Sequence, residues 1–83
     1  MNLKNKIILE SLASDLKRVA LGLHRGSSAM AQRFLEEAIS RKSEVKMSSV
    51  APYIIILLSK ISREIDKEDA LMYSTLIQNY VVC

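Results

Sequence analysis

The sequence has few of the residues that turn a chain sharply or cross-link it. Among its 83 residues there are one cysteine, one proline, two glycines and no tryptophan. A single cysteine excludes an internal disulfide, and so few glycines and prolines do not suit the many tight turns of a β-rich domain. The composition therefore predicts an all-α protein. Since the chain also lacks a signal-peptide pattern, we expect a cytoplasmic location.

Long hydrophobic runs and a strong charge of one sign are lacking as well. The longest apolar run, Ala51–Leu58, is far shorter than the roughly 20 residues that span a membrane. The formal net charge is +3, and the basic excess lies in the first half of the chain. Hydrophobic residues make up 49% of the sequence, which suffices for a buried core. We expect no membrane contact and one folded domain, residues 1–83.

Apolar residues recur at helical spacing in four segments of the chain. These segments are residues 3–24, 28–42, 50–65 and 67–80. The short connections predict an up-down four-helix bundle. The polar stretch 43–49 is long enough to act as a hinge, so a homodimer with exchanged helices remains an alternative.

The third segment is the most hydrophobic, and we expect it to form the centre of the bundle. Its apolar stripe consists of Ile54, Leu57, Leu58, Ile61 and Ile65. Pro52 fits the first turn of a helix, where its missing N–H is not needed. Ile56 points away from the stripe, so this helix is apolar on more than one side. Such a helix is usually covered on several sides, which favours self-association in so short a chain.

Apolar residues outside the predicted buried faces indicate where a second copy would bind. The candidate interface residues are Ile7, Leu21, Ile56, Leu71 and Val82. On the fourth helix the predicted buried face is formed by Met72, Tyr73, Leu76, Ile77 and Tyr80. If the five off-face residues share one surface, that surface is a candidate homodimer interface.

Residues that carry catalysis or bind metals are scarce. The only histidine, His24, and the only cysteine, Cys83, lie far apart in sequence, and no group of residues has metal-ligand spacing. Glu36 and Glu37 are adjacent on a predicted helix, so their side chains point about 100° apart and do not converge. We therefore expect no enzymatic activity, no catalytic residue, no metal site and no cofactor.

The turn between the first two predicted helices has features of an anion site. Its residues are Arg25, Gly26, Ser27 and Ser28. A helix N-terminus next to an arginine and two hydroxyls attracts anions. The glycine–lysine spacing of a nucleotide-binding loop is missing, however. A helix-to-helix turn with a glycine stop and a serine cap is therefore the preferred interpretation.

Basic residues of the first two helices suggest a second function. The candidate nucleic-acid contacts are Lys17, Arg18, Arg33, Arg41, Lys42 and Lys46. Acidic residues lie between them, and the pattern around Gly26 does not match a helix-turn-helix motif. The leading prediction is a small protein-interaction or regulatory module that self-associates and uses protein partners. The alternative is a small nucleic-acid-binding regulator.

Overall fold

The computed structural model describes residues 2–82. They form four α-helices and one short 3₁₀ turn, and this part of the chain contains no strand. The helices are α1 (Leu3–His24), α2 (Ser28–Glu44), α3 (Pro52–Ser59) and α4 (Lys67–Val82), and the 3₁₀ turn is Met47–Ser49. The predicted all-α class is confirmed, and the helices pack as a bundle.

The turn between α1 and α2 forms as its sequence predicts. Gly26 has a φ of +73°, a left-handed conformation that glycine adopts without a steric penalty. The Ser27 hydroxyl accepts a hydrogen bond of 3.3 Å from the Met30 N–H and so caps α2. The helix starts at Ser28 as expected and ends at Glu44, beyond the predicted residue 42.

Side-chain caps also fix the starts of α1 and α4. The Asn2 Oδ1 atom accepts a hydrogen bond of 2.7 Å from the Asn5 N–H. The Asp66 Oδ1 atom accepts one of 2.7 Å from the Asp69 N–H, at a helix start that also carries acidic residues. The start of α4 at Lys67 is therefore as predicted, and its end at Val82 is two residues later than expected.

The predicted third helix, residues 50–65, is wrong at both ends. Val50 and Ala51 are extended, because a proline restricts the residue before it and Pro52 takes the first helical position. At the other end the helix stops after Ser59, whose hydroxyl donates a 2.5 Å hydrogen bond to the Ile56 carbonyl. Residues 60–66 continue without helical structure.

The non-helical segment after α3 still fills the place of a longer helix. Ile61 is buried, and the Lys42 ammonium donates a 3.0 Å hydrogen bond to its carbonyl. Ile65 packs against the core from the same segment. The chain between α2 and α4 is thus partly helix, α3, and partly non-helical, residues 60–66. Together these two parts take the place of the third helix of an up-down bundle.

The centre of the bundle is α1 and not the third segment as predicted. Both α2 and α4 run antiparallel to α1 and pack along much of its length. Gly22 lies against Ala31 near one end of the α1/α2 pair, and Asn5 contacts Lys46 near the other. With 22 residues α1 is the longest of these helices, whereas α3 has only 8, so α3 is too short to form the centre.

Asn5 is a buried polar side chain that ties α1 to the segment after α2. Its Nδ2 donates a 3.0 Å hydrogen bond to the Lys46 carbonyl, and its Oδ1 accepts a 3.0 Å bond from the Lys46 N–H. Both ends of the amide are therefore satisfied in a site that is 2% exposed. This pair of bonds sets where the chain leaves α2 and turns towards α3.

Candidate interaction surfaces

Exposed apolar side chains lie next to one another where α1 and α4 meet. Leu21 and Leu71 line one shallow groove together, and Leu71, Met72 and Leu76 line the depression beside it. The four side chains are 39%, 51%, 49% and 41% exposed in that order. We call these four residues the α1/α4 apolar surface.

This surface exists because α4 is rotated from the predicted orientation. The predicted buried face included Met72 and Leu76, and the structure leaves both of them exposed. Ala70 and Ser74 face the interior instead, and the Ser74 hydroxyl donates a 2.6 Å hydrogen bond to the Ala13 carbonyl of α1. Small residues allow the two helices to approach closely, so larger apolar side chains are displaced to the outside.

Charged groups of both signs lie at one edge of the α1/α4 apolar surface. Lys17, His24, Lys67 and Glu68 line the same groove as Leu21 and Leu71. Further along the α1/α4 junction, polar side chains join apolar ones in the neighbouring groove. It is lined in part by Ser14, Lys17, Thr75, Gln78 and Asn79. The apolar surface is therefore bounded by charged and polar residues.

The five residues predicted to form an interface do not share one surface. Leu21 and Leu71 lie together, whereas Ile7 is fourteen positions before Leu21, about 21 Å away along α1. Val82 is at the far end of α4, and Ile56 is 58% exposed on α3. The sequence does not predict that Met72 and Leu76 are exposed, because helical periodicity assigns large apolar residues to the core in preference to small ones.

Several of the predicted nucleic-acid contacts make internal interactions. Arg41 pairs with Asp15 and lies 3.6 Å from Glu37, and Lys42 bonds to the Ile61 carbonyl. Lys17 lies in the α1/α4 groove, on a different side of α1 from Arg18. The six residues therefore do not form one basic stripe. The structure leaves Arg18 and Arg33 together on the outer side of α1 and α2.

Phe34 of α2 lies at the edge of the core. It is half-buried and packs against the core from α2. The guanidinium carbon of Arg18 is 5.3 Å from the ring centroid, and that of Arg33 is 5.6 Å away. These distances are typical of cation–π contacts.

The predicted anion site uses most of its polar groups to build the turn itself. The Ser27 hydroxyl caps α2, and the Ser27 N–H donates a 2.8 Å hydrogen bond to the Gly22 carbonyl. The Gly26 N–H donates to the Leu23 carbonyl at 3.2 Å. The geometry supports the interpretation as a structural turn.

Asp15 is the one acidic side chain buried in the described part of the chain. Burial raises the pKa of its carboxyl group above the ordinary 3.8, although the Arg41 guanidinium opposes that shift. The Arg41 contact occupies the carboxylate, and the neighbouring Glu37 also contacts Arg41. The site is therefore a structural ion pair between α1 and α2.

The raised pKa of Asp15 predicts an unusual pH dependence of stability. A folded-state pKa above 3.8 means that the folded chain binds this proton more tightly than the unfolded chain. The contribution of Asp15 to the free energy of unfolding should therefore grow as pH falls from the folded-state pKa towards 3.8. Urea unfolding of the wild type and of Asp15→Asn across this range measures the difference. The prediction would be contradicted if the free energy of unfolding of the wild type, relative to that of Asp15→Asn, fell steadily as the pH was lowered through this range.

Within residues 2–82, no three His, Cys, Asp or Glu side chains are grouped closely enough to hold a metal ion. Cys83 lies outside the described residues. Among the helices of residues 2–82, none has the length and hydrophobicity needed to cross a membrane. Comparisons of the chain with protein-family models, with curated proteins and with solved structures find no match.

Proposed function

We propose that this protein is a non-enzymatic interaction module that self-associates through the α1/α4 apolar surface. The observation that carries the proposal is that four large apolar side chains are exposed side by side while the small residues Ala70 and Ser74 of α4 are buried. Contiguous exposed apolar groups bounded by polar residues are typical of protein-binding surfaces. The low cysteine content supports a reducing compartment, and we place the module in the cytoplasm.

A second copy of the chain is the partner that suits this surface best. The edge of the surface carries Lys17 and Lys67 together with Glu68. In a two-fold interface the same patch meets itself, so a surface with both charge signs at its edge can match positive groups to negative ones. A chain of 83 residues also has a small core, which burial of further apolar area would stabilise.

Replacing Leu71 by lysine should separate the two copies. Leu71 lines both halves of the α1/α4 apolar surface and is 51% exposed, so a charge there faces the partner without disturbing the core. We expect the dimer dissociation constant, measured by sedimentation equilibrium, to rise at least about tenfold.

Ile56→Lys is the matched control for Leu71→Lys. It makes the same exchange of an exposed apolar side chain for a lysine, on α3 and away from the α1/α4 apolar surface. We expect the dissociation constant of this control to stay close to that of the wild type. A wild-type chain that is strictly monomeric at high micromolar concentration would overturn the proposal. So would a dimer that Ile56→Lys disrupts and Leu71→Lys does not.

A further inference from the structure

The charges of α1 and α2 are strongly segregated around the turn that joins them. Residues 16–35 contain Lys17, Arg18, Arg25 and Arg33 and no aspartate or glutamate. This stretch forms the second half of α1, the Gly26 turn and the first half of α2. One end of the helical hairpin is therefore basic, although the chain as a whole has a net charge of only +3.

Three of these residues lie on the outer side of the hairpin. Arg18 and Arg33 flank Phe34, and Arg25 follows Arg18 by seven residues, which is about two helical turns along the same side of α1. The Ser14 hydroxyl accepts a 2.9 Å hydrogen bond from Arg18 Nη1 and helps to fix that side chain. We call Arg18, Arg25 and Arg33 the arginine face.

The carboxylates nearest in sequence to the arginine face form salt bridges with other arginines. Arg41 contacts Asp15 and Glu37, and Arg63 contacts Glu36. Among residues 2–82, no carboxylate forms a salt bridge with an arginine of this face. Two guanidinium groups are thus held beside one ring without a direct salt-bridge partner, and the nearest buried carboxylate, Asp15, interacts with Arg18 only through space.

We propose that the arginine face binds the phosphate backbone of nucleic acid. Guanidinium groups form paired hydrogen bonds with phosphate oxygens, and neither Arg18 nor Arg33 has a salt-bridge partner among residues 2–82 that a phosphate would have to displace. The inner side of Phe34 packs on the core, so the ring positions the arginines and does not stack on a base. Binding is therefore to backbone and is independent of sequence.

This site does not depend on the α1/α4 apolar surface. The arginines lie on the outer side of α1 and α2, whereas Lys17 faces the groove with α4. A monomer carries the complete arginine face. Failure of self-association would leave this proposal intact, and failure of nucleic-acid binding would leave the dimer intact.

The test measures the affinity of the full chain for a labelled single-stranded RNA and for a labelled DNA duplex. Fluorescence anisotropy gives the affinity at several salt concentrations. The variant is the double substitution Arg18→Gln/Arg33→Gln. We expect its affinity for both probes to fall at least about tenfold at low salt, and the salt slope to decrease by about 1.5. A melting curve of the variant establishes that it is folded.

The matched control is Lys6→Gln/Lys60→Gln, which removes the same charge from exposed positions outside the arginine face. We expect the affinity of this control to remain close to that of the wild type. Equal losses in the two variants, or no binding of either probe at low salt, would overturn the proposal. Binding of poly-glutamate as tight as that of RNA would also overturn it, in favour of an acidic protein partner.

Discussion

Replacing Asn5 by aspartate is expected to lower the free energy of unfolding by about 3 kcal/mol at neutral pH. The substitution keeps the shape of the side chain but exchanges the Nδ2 donor for a carboxylate oxygen. That oxygen would face the Lys46 carbonyl, which now accepts a 3.0 Å hydrogen bond from Asn5. A buried charge would then point at a second acceptor, in a site that is 2% exposed.

Lowering the pH should restore much of this loss. Once protonated, the new carboxyl group can donate to the Lys46 carbonyl as the amide does now. Because burial favours the neutral form in the folded chain, the free energy of unfolding should rise as pH falls. Urea unfolding at neutral and acidic pH, compared with the wild type at each pH, measures this recovery.

Asn2→Asp is a control with the same chemistry in the same helix. Asn2 accepts a hydrogen bond from the Asn5 N–H and donates none through its side chain among the described residues, so a carboxylate can replace it. Aspartate is as good an N-cap as asparagine and suits the positive end of the helix dipole. We expect its stability to equal or exceed that of the wild type. If Asn5→Asp were equally harmless, the bonds to Lys46 would not be stabilising the fold.

Gly22→Ala is expected to destabilise the protein by about 2 kcal/mol, lowering Tm by roughly 10 °C. Helix propensity alone predicts the opposite, since alanine is favoured over glycine by about 1 kcal/mol inside a helix. A Cβ atom at Gly22 would lie 2.8 Å from the Ala31 backbone nitrogen and 3.1 Å from its Cα. These atoms belong to the backbone of α2, so the two helices would have to move apart.

Two further alanine substitutions, measured by thermal melts, distinguish the effect of helix propensity from that of the close contact at Gly22. Ser40→Ala is on an exposed position of α2 and should raise Tm slightly through helix propensity. Gly26→Ala has open space around the new Cβ, and its φ of +73° should cost about 1 kcal/mol. A Gly22→Ala variant as stable as the wild type would show that α1 and α2 tolerate a wider separation.

The α1/α4 apolar surface and the arginine face differ in how far the sequence predicts them. Helical periodicity places Leu21 and Leu71 off the buried faces, yet it assigns Met72 and Leu76 to the core. Periodicity ranks residues by hydrophobicity, and it does not anticipate that Ala70 and Ser74 fit closely against α1. For the arginine face, the sequence shows the charge segregation of residues 16–35. It does not show that Arg41 is paired with the buried Asp15.

Local patterns were sufficient for the features that depend on neighbouring residues. The starts of α1, α2 and α4, the left-handed Gly26 and the all-α class follow from caps, a glycine stop and helical spacing. The rotation of α4 and the central place of α1 follow from contacts between residues far apart in sequence. Such packing depends on the shapes of several helices at once, and no local window contains that information.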